Sequence, residues 1–271
     1  MTPGPRVLLR GGGDLATGVA ARLHRAGFSV LVTEIEQPLA VRRLVSLAEA
    51  VYQARVTIED LIGRRVDTTE DADASWRKGE IPVMVDPPAA SRVRINPLAL
   101  IDARMRKKPP EIGREAAPLV VGLGPGFQAG QNCHAVVETN RGHHLGRVFW
   151  TGQAEADTGV PGTVKGYDVD RVLRAPADGE VQAETELGTV VDEGHLIATV
   201  GGAPLEAPFR GALRGLIHDG LSVKEGTKIG DLDPRAEPSY CFEISDKALS
   251  VGGGVLEALL SRRLIRQQLA G

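Results

Sequence analysis

Residues 6–18 read Arg6-Val7-Leu8-Leu9-Arg10-Gly11-Gly12-Gly13-Asp14-Leu15-Ala16-Thr17-Gly18. The apolar run predicts a short strand, the glycines predict a turn, and the residues after them predict a helix. Gly11, Gly13 and Ala16 match the Gly-x-Gly-x-x-Gly/Ala pattern of dinucleotide-binding loops. Glycine permits a sharp turn and lets backbone N–H groups approach a phosphate, and a small third residue allows close helix–strand packing. The stretch therefore predicts a strand–loop–helix unit that binds a nucleotide-type ligand.

The segment after this loop extends the same pattern. A helix is predicted over 15–26, and a second apolar strand over 29–33 ends at Glu34. An acid about 20 residues after the glycines is placed to bind a ribose 2′-hydroxyl. Asp14 puts a negative charge where a pyrophosphate would lie, and we expect it to cap the helix, so a capped unit without a ligand is the alternative. The predicted ligand-binding residues of this loop are Gly11, Gly12, Gly13, Asp14, Ala16, Thr17 and Glu34.

Composition narrows the class of protein. The chain has 271 residues, of which 42% are hydrophobic and 25% are charged, and these values predict an ordinary soluble protein of two compact units. A net charge of −3 and an aromatic content of 4% argue against nucleic acid or an anionic membrane as the partner. The two cysteines imply no disulfide framework, and the sequence has neither a signal pattern nor a long apolar run. We therefore expect a cytoplasmic protein, and self-association is left open.

Strands and helices alternate through residue 117, which predicts a Rossmann-like α/β domain over 1–117 with a mostly parallel sheet. Such sheets bind ligands at the carboxyl ends of their strands, where the glycine loop and Glu34 would both lie. Asn96-Pro97 predicts the start of a helix that carries Leu98, Ile101 and Met105 and ends in a basic cluster over 104–108. This cluster is interpreted as a solvated helix end in preference to an anion-binding face. The remaining predictions are a helix from Pro38, a strand over 50–53, a short helix over 57–63, a solvated connection over 67–80 and a strand over 81–86.

A second glycine-rich segment over 118–170 is predicted to complete or link the domains. A strand runs into a loop that contains Gly124 and Gly126, which we add to the candidate ligand-binding residues. Arg141, in a later polar turn, is a candidate because a guanidinium can bind a phosphate or carboxylate with two hydrogen bonds. Cysteine and histidine residues also occur here, but their spacing matches no usual zinc pattern, so we predict no metal site. They are Cys133, His134, His143 and His144.

Residues 171–235 contain an internal repeat with an offset of 32 residues. Ala175-Pro176 recurs as Ala207-Pro208, and glycine, valine and isoleucine positions recur at the same offset. Short strands duplicated in tandem predict two interlocking halves of a small β domain. The pattern resembles the biotinyl/lipoyl carrier domain, a barrel-sandwich hybrid. The turn over 200–207 contains no lysine for a prosthetic group, so a working carrier is excluded.

The segment over 236–271 is predicted to form a C-terminal helical tail. Gly252, Gly253 and Gly254 are costly in a helix, and we expect either a close backbone approach or a break there. Just before this segment, Asp231 and Asp233 either bind Mg²⁺ or pair with Arg235.

Five ordered blocks, at 10–18, 122–127, 138–143, 230–235 and 244–247, together resemble a known family. It is the family of accessory proteins of selenium-dependent molybdenum hydroxylase systems. The first unit is also similar to the Rossmann-type domain of the xanthine dehydrogenase maturation factor family. The resemblance implies a maturation role, in which the protein handles the molybdenum cofactor or its nucleotide-bearing form. It also implies molybdenum hydroxylase subunits as partners.

Two other functions stay open at this point. One is an NAD(P)-dependent oxidoreductase that uses the same loop, although no Tyr-x-x-x-Lys or comparable proton-donating pair is apparent. The other is a non-catalytic adaptor that docks a hydroxylase subunit. The candidate cofactors are accordingly a molybdenum cofactor nucleotide and an NAD(P)- or FAD-like dinucleotide, and the sequence does not determine whether a reaction is catalysed.

Overall fold

A computed structural model describes residues 3–106, 108–156 and 169–270. The chain forms two compact units. The first comprises Met1–Pro38, Leu47–Asp157 and Ile244–Gly271, and the second comprises Leu39–Ser46 and Thr158–Glu243. Most of 118–170 and most of the tail belong to the first unit. Within the described ranges, no helix is long and apolar enough to span a membrane.

The first unit is built on one large sheet. The strands of this unit are β1 (Arg6–Arg10), β2 (Ser29–Glu34), β3 (Arg55–Ile58), β4 (Leu61–Val66), β5 (Ile81–Val85), β6 (Ala99–Asp102), β7 (Leu119–Leu123), β8 (Gln128–Ala129), β9 (Ala135–Val137), β10 (Val148–Phe149) and β11 (Gly152–Gln153). All of them except β8 and β11 belong to the large sheet. The nine strands of the sheet lie in the order β10-β9-β7-β6-β1-β2-β5-β4-β3. The seven inner strands are parallel, whereas β3 and β10 pair antiparallel at the two edges. Strands β8 and β11 form a separate antiparallel pair.

Helices cover this sheet. They are α1 (Asp14–Arg25), α2 (Ala50–Gln53), α3 (Thr69–Arg77), α4 (Arg92–Ile95), α5 (Asp246–Leu260) and α6 (Arg263–Ala270), with short 3-10 turns at Leu47–Glu49 and Arg114–Ala116. Part of the core packs Leu8, Leu31, Leu100 and Val120 of the parallel strands against Trp76 of α3. Helix α1 packs along α5, and both termini of the described chain therefore contribute to this unit.

Several local predictions for this unit are wrong. The expected helix after Asn96 is strand β6, which lies between β1 and β7 and buries Leu100 and Ile101. The expected helix over 57–63 is the β3–β4 hairpin, the expected strand over 50–53 is α2, and the expected connection over 67–80 is α3. The spacing of Leu98, Ile101 and Met105 fits a helix, but burial between two strands dictates the outcome.

The described residues of the second unit form eight short strands. They are β12 (Val172–Arg174), β13 (Gly179–Ala183), β14 (Val190–Val191), β15 (Leu196–Val200), β16 (Ala203–Glu206), β17 (Gly211–Leu216), β18 (Ser222–Val223) and β19 (Lys228–Asp233), with 3-10 turns at Arg43–Val45, Val169–Arg171 and Pro238–Cys241. Strands β13, β14 and β15 recur as β17, β18 and β19 at the predicted offset. They form two four-stranded antiparallel sheets, β12-β19-β17-β14 and β16-β15-β13-β18. Each sheet therefore takes strands from both halves of the repeat.

The predicted fold class, a Rossmann-like sheet plus a lipoyl-type barrel-sandwich domain and one C-terminal helix, is wrong. The first unit has a nine-stranded mixed sheet with antiparallel strands at both edges, and the repeat region forms two separate antiparallel sheets. The tail forms two helices, α5 and α6. The order of the parallel strands and the pairings between the two halves of the repeat depend on contacts between residues far apart in sequence, which local patterns do not encode.

Candidate functional site

The glycine loop connects β1 to α1 at the carboxyl edge of the large sheet. The Gly11 N–H donates to the Thr33 carbonyl at 2.8 Å, and Gly11 has a φ of 92°, which favours glycine. Gly12 accepts from the Ala48 N–H at 2.8 Å, and a methyl group added at Gly12 would lie 2.8 Å from that nitrogen. A methyl group added at Gly13 meets nothing within 4 Å. The loop is therefore packed on its Gly12 side and open at Gly13.

The prediction that Asp14 caps α1 is wrong. Gly13 is the N-cap and makes no side-chain cap hydrogen bond, while Asp14 lies in the first turn. Thr17 is buried and has a structural role, since its hydroxyl donates to the Gly13 carbonyl at 3.0 Å and accepts from the Leu47 N–H at 3.0 Å. Ala16 is buried, as expected for the small third residue of the pattern. Thr17 and Ala16 therefore support the loop from its buried side.

Glu34, at the end of β2, is hydrogen-bonded to the loop. Its Oε1 accepts from the Gly12 N–H at 2.7 Å, and its Oε2 accepts from the Ile35 N–H at 2.8 Å. Burial raises the pKa of the Glu34 carboxyl, although these two hydrogen bonds and the charge of Arg104 oppose the rise. A carboxylate has about four acceptor positions, so each oxygen keeps one for a further donor. The carboxylate is fixed in orientation beside the open Gly13.

An arginine cluster, made of Arg10, Arg104 and Arg106, lies beside the loop. The sequence analysis treated Arg104 and Arg106 as a solvated helix end in preference to an anion-binding face, and it did not include Arg10. Arg10 is 1% exposed and donates to Asp102 Oδ2 at 3.2 Å and to the Pro87 carbonyl at 2.9 Å. Arg104 Nε donates to Asp102 Oδ1 at 2.9 Å. The Arg104 Cα would lie 3.3 Å from a methyl group added at Gly11. The cluster and the glycine loop are therefore neighbours.

All three arginines of the cluster converge on Glu111. The hydrogen bond from Arg104 holds the pKa of the Glu111 carboxyl well below its usual range, with further help from the charge of Arg10. Burial lowers the pKa of Arg10, and the charge of Asp102 opposes that shift. The basic residues around 104–106 were noted in the sequence, but a helix was wrongly predicted for the segment before them. If residues 99–102 had been predicted as a strand, the basic residues would have been expected at the carboxyl edge of the sheet.

The other predicted site residues lie elsewhere on the same edge. Gly124 follows β7, which β6 separates from β1, and its N–H donates to the Val137 carbonyl at 2.9 Å. A methyl group added at Gly124 would lie 2.5 Å from Thr139 Oγ1, so this glycine is required by packing. Gly126 has a φ of 100° in the same turn. The turn therefore explains both glycines without a ligand.

Arg141 is paired with an acid of the protein. It donates two hydrogen bonds to Asp246, at 2.9 and 2.7 Å, in the first turn of α5. The bidentate geometry expected for a ligand is thus realised with a carboxylate of the protein itself.

Sequence reasoning also missed Glu138, a fully buried carboxylate after β9. It accepts backbone N–H groups from Thr139, Asn140 and Glu155, each at 2.7 Å. Its neighbours in sequence formed part of a family block, but nothing in the local pattern indicates burial. The side chain organises the turn that carries Arg141.

The cysteine and histidine residues are dispersed. Cys133 is buried, and burial raises the pKa of its thiol to about 11. His134 Nδ1 accepts from the Val120 N–H at 2.9 Å, and burial lowers its pKa. His144 lies 3.1 Å from Glu155 and contacts the ring of His143. Among the residues that the structure describes, no group of three metal-ligating side chains assembles.

Comparison with known proteins adds one curated relative and several distant structures. No protein-family model matches the chain. The chain is 46% identical over 254 residues to a protein of Escherichia coli K12 named "Uncharacterized protein YqeB". The match covers 94% of this chain and 47% of that protein, so the chain spans about half the length of this curated relative. Because the relative's name states no activity, the molybdenum-hydroxylase resemblance stays a prediction.

The solved structures that match are distant. They include an aspartoacylase family protein of Mesorhizobium loti, with 10% identity, a TM-score of 0.27 and coverage of 84% of this chain and 85% of that chain. A succinylglutamate desuccinylase of Silicibacter has 14% identity, a TM-score of 0.23 and coverage of 86% and 85%. The product-bound ectoine utilization protein EutE of Ruegeria pomeroyi has 14% identity, a TM-score of 0.27 and coverage of 85% and 85%. Similarity at this level carries no argument about the activity of this chain.

These matching structures are named for aspartoacylase, succinylglutamate desuccinylase and ectoine utilization proteins, and none is named for molybdenum-cofactor maturation. They therefore give no support to the maturation role expected from the sequence.

Proposed function

We propose that this chain binds a small molecule that carries a ribose and a phosphate group, at the carboxyl ends of β1, β2 and β6. The observation that supports the proposal best is the Glu34 carboxylate, which the N–H groups of Gly12 and Ile35 hold in one orientation. A ribose diol offers two O–H donors, and the remaining acceptor positions of a fixed carboxylate suit them. The cytoplasmic location expected from the sequence is part of this proposal.

The surroundings of Glu34 favour such a ligand. Gly13 leaves open space at the N-terminus of α1, which is a 12-residue helix whose N-cap uses no side chain. Helix N-termini attract anions through their exposed N–H groups. Asp14 in the first turn opposes a phosphate placed directly on the helix axis. We therefore place the phosphate toward Gly11 and the arginine cluster, away from Asp14.

Isothermal titration of the full chain with NAD, FAD, CTP and molybdopterin cytosine dinucleotide tests the proposal. We expect at least one of them to bind, and Glu34→Gln to weaken that binding about tenfold, because an amide replaces one acceptor of a charged hydrogen bond. The matched control is Glu36→Gln, an exposed acid two residues later, which we expect to leave the affinity unchanged. If none of the four compounds binds, or if both variants weaken binding equally, the proposed function is wrong.

The maturation role, the hydroxylase partner and the oxidoreductase alternative stay predictions. If the titration shows that NAD binds, turnover of the bound NAD with a carbonyl substrate would favour the oxidoreductase alternative.

A further inference from the structure

We propose that the arginine cluster is a phosphate subsite, and that Glu111 occupies it until the phosphate of the ligand displaces the Glu111 carboxylate. The inference deepens the proposed function, on which it rests for the source of the phosphate. It assigns to Glu111 the role of an internal competitor, and to Arg10, Arg104 and Arg106 the role of binding residues.

The first argument is the geometry around Glu111. Its Oε1 accepts from Arg104 Nη1 at 2.6 Å, from Arg106 Nη1 at 3.0 Å and from Arg10 Nη2 at 3.2 Å. Its Oε2 accepts from Arg104 Nη2 at 2.9 Å. Three guanidinium groups on one carboxylate form an arrangement that also suits a phosphate, which presents more oxygens to the same donors.

The second argument is the difference in exposure between the cations and the acid. The side chains of Arg10 and Arg104 are 1% and 17% exposed, and both are anchored by Asp102, whereas the Glu111 side chain is 48% exposed. Glu111 lies on the irregular connection between β6 and β7, after Pro109 and Pro110. Arg10 and Arg104 are thus held by Asp102 at the end of β6, whereas Arg106, at 52% exposed, is as accessible as Glu111. The acid can leave while the sheet stays intact.

The third argument is an unused donor. Arg10 Nε is buried and has no hydrogen-bond partner within the described ranges, although both terminal nitrogens of that guanidinium are bonded. A buried donor without a partner is costly, and such groups call for an explanation. The guanidinium of Arg10 therefore has one donor that the Glu111 carboxylate leaves unsatisfied.

The fourth argument is charge and space. Three guanidinium groups and the carboxylates of Asp102 and Glu111 leave one net positive charge, which becomes two when Glu111 moves away. Two positive charges match a phosphate group at neutral pH. The Glu111 side chain is 48% exposed, so solvent provides room for it when it is displaced.

Titration of the full chain with inorganic pyrophosphate tests the subsite without a ribose. We expect Glu111→Gln to bind pyrophosphate about tenfold more tightly than the unchanged chain, because a neutral amide competes less well for the arginines. The matched control is Glu115→Gln, an exposed acid four residues later, which we expect to leave the affinity within about twofold. Adding Arg106→Ala to Glu111→Gln should remove most of the gain. Thermal unfolding of each variant verifies that it is folded.

The outcomes separate the two proposals. Unchanged or weaker pyrophosphate binding by folded Glu111→Gln overturns the subsite, and an equal gain in Glu115→Gln does the same. If Glu111→Gln tightens pyrophosphate binding but Glu34→Gln leaves nucleotide binding intact, the subsite stands and the ribose-binding function fails. If Glu34→Gln weakens nucleotide binding but Glu111→Gln changes nothing, the proposed function stands and the subsite fails.

Discussion

At the scale of single residues, buried acids in this protein are held by several donors. Asp233 in the second unit is 1% exposed and accepts from Arg235 Nε at 2.9 Å and from the Arg235 N–H at 3.1 Å. Arg214 lies 3.6 Å from the same carboxylate. Of the two roles considered for Asp233, the structure shows pairing with Arg235. Asp231, the other candidate Mg²⁺ ligand, lies 3.5 Å from Arg171.

The pKa of Asp233 predicts a pH-dependent stability. Burial works to raise this pKa, but the hydrogen bonds and charge of Arg235, with the charge of Arg214, outweigh it and lower the pKa to about 2. Because the pKa is lowered in the folded state, ionised Asp233 stabilises the fold above its unfolded pKa near 4, and this stabilisation is lost as the pH falls toward 2. Its contribution to the free energy of unfolding is on the order of 2 kcal/mol. Urea unfolding should therefore show Asp233→Asn destabilised at pH 5 to 7, with the difference narrowing toward pH 2.

The control for this prediction is Asp192→Asn. The Asp192 side chain is 86% exposed beside Arg210, and such surface pairs contribute little to stability. A loss of stability in Asp233→Asn that stays constant from pH 2 to 7 would contradict the assignment.

At the scale of elements, helices α1 and α5 pack through their backbones. A methyl group added at Gly252 would lie 2.5 Å from the Gly18 carbonyl, and one added at Gly18 would collide with Ala248. Gly254 approaches the Gly146 carbonyl in the same way. The glycine run therefore marks a close approach of two helices within an unbroken α5. This close approach is one of the two outcomes that the sequence predicted.

The three consecutive glycines provide a matched set of variants. We expect Gly252→Ala and Gly254→Ala each to lower the free energy of unfolding by about 1–3 kcal/mol, because α5 must move away from α1 at Gly252 and from the backbone at Gly146 at Gly254. Gly253 has nothing within 4 Å of an added methyl group, so Gly253→Ala should be neutral or raise stability by up to about 1 kcal/mol through helix propensity. Chemical denaturation of the three variants measures their free energies of unfolding. Equal effects at all three positions would refute the packing argument.

The sequence predicts those elements that local residues stabilise, and it fails for elements that depend on contacts distant in sequence. Strands β1, β2 and β5 are apolar runs buried on both faces, and their sequences alone indicate them. Strand β6 was mistaken for a helix, because its register against β1 and β7 is set by residues far away in sequence. The position of Glu34 beside the glycine loop was predicted, because the spacing along one strand–loop–helix unit is enough to place it there. The position of the arginine cluster was not predicted, because Arg10 and Arg104 meet only through the β1–β6 pairing.

At the scale of the whole molecule, the first unit is assembled from separated segments of the chain. Its last segment supplies α5, which buries Val251, Val255 and Leu259. Burial of three such side chains contributes on the order of 5 kcal/mol, which is comparable to the net stability of a typical domain. The first unit therefore depends on residues that follow the second unit in sequence.

Truncation tests this dependence. We expect a chain ended after residue 243 to lose the cooperative unfolding of its first unit, whereas a chain ended after residue 262, which lacks only α6, should retain it. Trp76 and Trp150 are the two tryptophans of the sequence and both belong to the first unit, so fluorescence excited selectively at tryptophan reports on that unit alone. A cooperative fluorescence transition in the shorter chain would show that α5 is dispensable.

The tandem repeat of the second unit has a consequence for how such a unit can arise. Exchanging β12–β15 for β16–β19 converts the strand order of one sheet into that of the other, so the two halves are related by an approximate two-fold symmetry. A single copy of the repeat would leave strand edges unpaired, and an unpaired edge is completed by another chain. Two identical copies would satisfy each other as a homodimer does. The second unit is thus equivalent to a dimer whose two chains have been joined end to end, and neither half has the complete set of partners it needs to fold alone.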